Sequence, residues 1–229
     1  MTTRKPSVTK VFEVELGPEL SKAGFRKVNP KFYGRISHGD VFQYISLSVS
    51  TGVRREYRIE YGAMCLAEPQ EALTLQPGGQ LMRGTSGGTY GAATDTMLQK
   101  SIARVIDSFR LDLFPWFEAS STIDGFQATL EAHERSHPYL TETGHIDFTK
   151  ACTASVRGEF GLAHQHLLRA TELFEAKREA WGEQCLQKCV LLNNALQTGK
   201  QAELHLQWRA ASIDQLDIGK LVTEAKGGN

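Results

Sequence analysis

One string in this 229-residue chain, His133-Glu134-Arg135-Ser136-His137, carries a defined chemistry. It satisfies the H-E-x-x-H pattern of zinc metallopeptidases, where two imidazoles four residues apart on one helical face hold the metal and the glutamate deprotonates a zinc-bound water. Such a site needs the helix to continue through the second histidine. Pro138 follows His137 directly and biases it away from the α region. A third ligand would have to come from His145 or a downstream glutamate, because Thr143 stands where the extended metzincin pattern puts its third histidine. The ordinary role for His133 and His137 is a favourable interaction with a helix C-terminus, and no bound metal or other cofactor is expected.

The remaining reactive side chains give weaker signals. Cys185 and Cys189 fall on one helical face, where paired thiols can bind metal or oxidise, but Leu186 and Leu192 beside them point to a buried stripe. His164 and His166 are two apart on a predicted helix and therefore face different ways. The stretch Gly84 to Gly91 (GTSGGTYG) has neither the Gly-Lys-Ser/Thr ending of a phosphate-binding loop nor the spacing of a dinucleotide turn, so it reads as a flexible loop. No serine occupies a G-x-S-x-G elbow, and no Cys/His or acid pair has local support as a nucleophilic or glycosidase site.

These residues must be carried by a chain whose first third alternates with period two. Val8, Phe12, Leu16 and Leu20 predict an amphipathic helix over Val8 to Ala23, stopped by Gly24 and kinked or restarted at Pro18. Phe25 to Ile36 then reads as extended chain broken at Asn29-Pro30, and His38-Gly39-Asp40 turns it into a strand over Val41 to Ser50. Thr51-Gly52 turns into a third strand over Arg55 to Cys65. Ala72 to Leu75 and Gln80 to Arg83 are candidates for shorter strands. In this meander Val41, Ile45, Leu47, Tyr57, Ile59 and Tyr61 are expected to face helices, while Tyr33, Arg35, Phe42, Tyr44, Glu56, Arg58 and Glu60 take the other side. Aromatics mixed with arginine suit a protein interface, so Tyr33, Arg35, Phe42, Tyr44 and Arg58 are the candidate binding residues. If the C-terminal helices cover that side, Phe42 and Tyr44 are core instead.

Beyond the meander the periodicity becomes helical. A helix capped by Thr94 or Asp95 runs through Ile102 to Phe109, and Leu113 to Phe117 is expected to turn the chain and plant an apolar cluster. Another helix spans Thr122 to about Ser136, and 136–144 is a connector. Later, Gly158-Glu159-Phe160 with Ala163, Leu167, Ala170 and Leu173 resembles one tetratricopeptide-type hairpin, with a fainter echo at Gly199. The tail from Thr223 is expected to fray. The fold class expected is α+β: an antiparallel meander with flanking helices over 8–135, and a helical bundle over 145–222.

Lys+Arg and Asp+Glu number 26 each, so no global charge excess recruits nucleic acid or an anionic membrane. Met1 to Lys10 lacks the apolar core of a secretory signal, and no run is long enough to cross a bilayer. Four cysteines spread over predicted elements suit reduced thiols, and a cytoplasmic location is expected.

Leu20 to Ala23 leading into Gly24-Phe25-Arg26-Lys27, then Phe32-Tyr33-Gly34-Arg35, a strand of alternating Ile, Leu and Ser, and the Pro-Trp pair within Leu113 to Phe117 occur in an order that resembles a bacterial domain family of unknown function. The resemblance covers roughly Val8 to Thr129. It implies an α+β fold and a bacterial cytoplasmic protein, with no reaction or catalytic residue to carry over. The leading expectation is a non-catalytic protein that binds a protein partner, with an immunity-like or effector-assisting role as one setting. A zinc-dependent hydrolase using His133, Glu134 and His137 is the alternative from a different class, and a helical peptide-binding adaptor is a third.

Overall fold

A computed structural model describes residues 7–38, 40–50, 55–82, 88–177 and 179–223. The expected turn at Thr51-Gly52, residues 84–87 of the glycine-rich stretch and the tail beyond Thr223 lie outside them, and Thr89–Gly91 of that stretch is strand, not flexible loop. The first helical stretch is two helices, α1 (Val8–Glu15) and α2 (Gly17–Lys22), restarting where Pro18 enters the first turn of α2. Proline is tolerated there because that N–H has no helical acceptor. Gly24, at φ 78°, ends α2. Its N–H donates to Ser21 O and the Phe25 N–H to Leu20 O, the paired reversal that a left-handed residue permits.

Six strands follow among the described residues: β1 (Arg26–Asn29), β2 (Phe32–Ser37), β3 (Val41–Val49), β4 (Glu56–Cys65), β5 (Gly78–Gln80) and β6 (Thr89–Gly91). β1 to β4 form the antiparallel meander, and the free edge of β4 is shared by β5, opposite Glu60 to Gly62, and β6, opposite Glu56 to Arg58. With that edge taken, Ala72 to Leu75 is irregular chain and not the short strand anticipated.

The register corrects one expectation about the sheet faces. Tyr33 pairs with Ile45 and Arg35 with Gln43, whereas Gly34 pairs with Tyr44 and Ile36 with Phe42. Cross-strand partners share a face, so Tyr33 and Arg35 lie with Val41 and Ile45, on the side opposite Phe42 and Tyr44. The first face packs Tyr33, Ile45, Leu47, Tyr57 and Ile59 against α1, α2 and the helices after the sheet.

Those helices are α3 (Asp95–Ser108), capped by Thr94 accepting from the Met97 N–H, and α4 (Phe114–Ala119). Leu113 to Phe117 was expected to turn the chain, but a π-helical segment at Phe109–Leu113 carries α3 into α4. The wider turn, with the Phe114 N–H on Phe109 O, places Pro115 in a first turn and keeps Phe109, Leu113 and Phe117 in the core. Helix α5 (Ile123–Ser136) is capped by Thr122, and a 3-10 turn over Pro138–Glu142 leads to α6 (His145–Val156).

Helices α6, α7 (Phe160–Glu175), α8 (Ala180–Thr198) and α9 (Gln201–Gln215) pack around Phe148, Leu167, Phe174, Leu192 and Trp208. Reversals at Gly158 (φ 76°) and Gly199 (φ 70°) fall where the hairpin reading places them. Short α10 (Gly219–Thr223) and the end of α9 then return to the sheet, putting Ile213, Ile218 and Leu221 on Phe32, Phe42 and Tyr44. A fourth cluster joins Val41, Ala63 and Cys65 to Phe126, Leu130, Leu140 and Ile146. The architecture is α+β, and among the described residues two of the four apolar clusters draw on both sides of 136–144.

Candidate functional site

The H-E-x-x-H string does not adopt the arrangement that zinc chemistry needs. Helix α5 ends at Ser136, and Pro138 leaves His137 at φ −134°, ψ 69°. Its ring stacks on that of His133, with centroids 4.3 Å apart, and its Nδ1 lies 2.9 Å from His133 O. Glu134, the residue cast as base, is ion-paired with Lys150 at 2.5 Å. Among the described residues no group of three His, Cys, Asp or Glu side chains is arranged to hold a metal.

The five binding candidates do not share one open surface. Tyr33, Phe42 and Tyr44 are buried, Phe42 and Tyr44 by the returning C-terminal helices. Arg35 spans three elements: it donates through Nη1 to Ala23 O (2.6 Å) and through Nε to Gln43 Oε1 (2.6 Å), and its Nη2 is 2.8 Å from Glu118. Its guanidinium also lies over Phe25 at 4.9 Å. Arg58 remains exposed, on the half of the second face that α9 and α10 leave uncovered.

The candidate site is instead a cleft of about 420 Å³ where the segment after β4 meets α5, α6 and α8. Its wall is residues 66–77, irregular backbone with carbonyls and amides that need partners. Distant side chains supply them. The Tyr44 hydroxyl donates to Thr74 O (2.7 Å), the Gln70 N–H donates to Ser212 Oγ (2.9 Å), and Ser212 donates onward to Glu68 O (3.2 Å). His205 Nδ1 is 2.7 Å from Ala67 O, and a carbonyl only accepts, so the proton is on Nδ1 and Nε2 accepts from Ser155 Oγ (2.9 Å). Gly62 permits the close approach: a Cβ there would lie 2.8 Å from both Thr74 O and the Tyr44 ring.

Glu68 lines this cleft, and Thr149 on α6 donates to its Oε2 at 2.7 Å. Burial pushes its carboxyl pKa up to about 7, opposed by the Thr149 bond, the Lys188 charge and the Gln70 side chain. Glu71 and Lys188 of α8 form a 2.6 Å ion pair across the cleft. His145, at the start of α6, stacks on Trp181 of α8 at 5.7 Å and meets the edge of Phe174 at 5.2 Å. Burial of its inner edge, then Lys188, holds its pKa below the ordinary imidazole value. The thiol of Cys185, also in the lining, is held above its ordinary value, chiefly by burial, which keeps it protonated and poorly nucleophilic. The arrangement can therefore take an apolar body between aromatic walls and meet one polar head at a carboxyl able to exchange a proton near neutrality.

None of the cleft groups was legible as a site in the sequence. His145 entered only as a possible third zinc ligand and Cys185 only as half of a thiol pair. Glu68 and Thr149 stand 81 residues apart, and Glu71 and Lys188 stand 117 apart. No local spacing signals such pairs. The chain matches no family model, no curated protein and no solved structure.

Proposed function

We propose that this is a binding protein whose recognition site is the cleft between residues 66–77 and helices α6 and α8. The observation that carries the reading is Glu68, a carboxyl raised to about 7 inside an aromatic-lined cavity of the size that small organic ligands occupy. Structural carboxylates are ordinarily placed where water or a full ion pair favours their charge. Glu68 has only a threonine hydroxyl, a glutamine and a lysine already engaged with Glu71. A cavity wall pinned by Tyr44, His205 and Ser212 is preorganised, which lowers the entropy lost on binding. The resemblance over Val8 to Thr129 is consistent with a bacterial protein and adds no activity.

Titration of small aromatic fragments tests this, with chemical shifts followed at the Trp181 indole and the Thr149 amide. Shifts at both, with the Thr149 shift lost in Trp181→Ala, are the expected result. Fragments that perturb only residues outside the cleft would overturn the reading.

A second reading, a protein partner on the sheet, is supported by exposed Arg58 with half-exposed Glu56 and Glu60 beside the shallow depression at Ser48 and Thr89. Its test is capture of one partner by the wild-type chain and its loss in Arg58→Glu, with unchanged capture counting against it.

A further inference from the structure

Among the described residues the cleft is lined by two carboxylates, Glu68 and Glu71, and one ammonium, that of Lys188. Lys188 spends its charge on Glu71, 2.6 Å away. When Glu68 is ionised, the lining therefore carries one uncompensated negative charge, with His145 neutral at the mouth. The Thr149 hydroxyl is already committed to Glu68, and the other polar side chains there, such as Gln70 and Gln184, carry no charge. Phe126, Phe148 and Trp181 share the lining and supply apolar surface against which the body of a ligand can be buried. A bound carboxylate or phosphate would instead face that like charge, with the one lining ammonium already engaged by Glu71.

We infer that the cleft selects an organic monocation, an ammonium carried by a short chain on an aromatic or similarly apolar body, with Glu68 as its counter-ion. This rests on the cleft being the recognition site. The apolar body lies between the Trp181 and Phe148 side and the wall formed by Leu73 and Thr74, and the ammonium donates to the Glu68 carboxylate alongside its Thr149 and Gln70 partners. A volume near 420 Å³ accommodates one ring with a short chain.

Three probes of nearly equal size separate charge from shape: phenethylamine, 2-phenylethanol and phenylacetate, titrated into the full chain at pH 8 with Trp181 and Thr149 resonances as readout. Phenethylamine is expected to bind about tenfold tighter than the alcohol, and phenylacetate more weakly than either. Glu68→Gln keeps the acceptor for Thr149 and removes the charge, so phenethylamine should lose several-fold more affinity than the alcohol and the two should end nearly level. Lys188→Met frees Glu71 and should tighten phenethylamine several-fold, a gain that a damaged fold cannot imitate. Equal affinity for all three probes, or tightest binding of phenylacetate, overturns the monocation assignment while leaving the cleft as a binding site. An equal effect of Glu68→Gln on every probe also overturns it. Absence of any shift at Trp181 and Thr149 up to millimolar probe overturns the cleft reading itself.

Discussion

Replacing Glu68 by Gln should make the folded protein more stable above neutral pH. The carboxyl titrates near 7 in the folded chain against about 4.5 when unfolded. Because the folded chain holds the proton to higher pH, folding takes one up across that interval. The group's contribution is complete below about pH 4.5 and is lost as pH rises through about 7. A displacement of about 2.5 pH units, at 1.36 kcal/mol each, gives an upper bound of about 3 kcal/mol. Partial solvent access to the cleft reduces this, and about 1 to 3 kcal/mol is the expected range. Glutamine still accepts from Thr149, so at pH 8 the variant escapes the charge burial and keeps the bond. Urea denaturation at pH 5 and pH 8 on both proteins gives the double difference. His133, His145 and His205, whose pKa values are lowered, favour stability at higher pH, and they cancel in that difference. Equal pH dependence in wild type and Glu68→Gln would show that Glu68 is not buried with its charge unsupported, and the cleft would lose its recognition group.

Gly62→Ala places a Cβ against Thr74 O and the Tyr44 ring, so it should cost about 1 to 3 kcal/mol by thermal or urea unfolding and displace the cleft wall. A variant as stable as wild type, with unchanged Thr74 shifts, would contradict the close packing. Arg35→Ala leaves Ala23 O and Gln43 Oε1 without their donor and should cost about 2 to 3 kcal/mol, most of which Arg35→Lys fails to restore. A loss below about 0.5 kcal/mol would return Arg35 to the surface role. Zinc added to metal-free protein should produce no stoichiometric binding by elemental analysis. One equivalent retained by wild type and lost in His133→Ala would revive the hydrolase reading.

Much of the fold was readable because its signals are local. The four-residue spacing from Val8 to Leu20, the restart at Pro18 and the left-handed Gly24 depend on neighbours a few residues away. The helix starts at Thr94 and Thr122 are likewise side-chain caps to the third residue on. The segment at Pro115 misled because a proline normally breaks a helix, and only a π turn, which a propensity argument does not foresee, lets the helix absorb it. Tyr33 and Arg35 fall on the face opposite to the expected one because alternation within a strand fixes relative sides but not the register of β2 on β3 across residues 38–40.

The sequence alone determined which stretches alternate with period two and which with period 3.6, and hence an α+β chain with a meander followed by helices. It also settled that Pro138 opposes the helix geometry of an H-E-x-x-H site. Long-range packing alone brings Ile213, Ile218 and Leu221 over Phe42 and Tyr44, and Glu68, Thr149, Trp181 and Lys188 into the lining of one cleft. The reason is that side-chain periodicity is a property of a few consecutive bonds, whereas a cavity is made by residues more than a hundred positions apart. Their meeting depends on register, helix reversal and the return of the C-terminus to the sheet, none of which any single segment encodes.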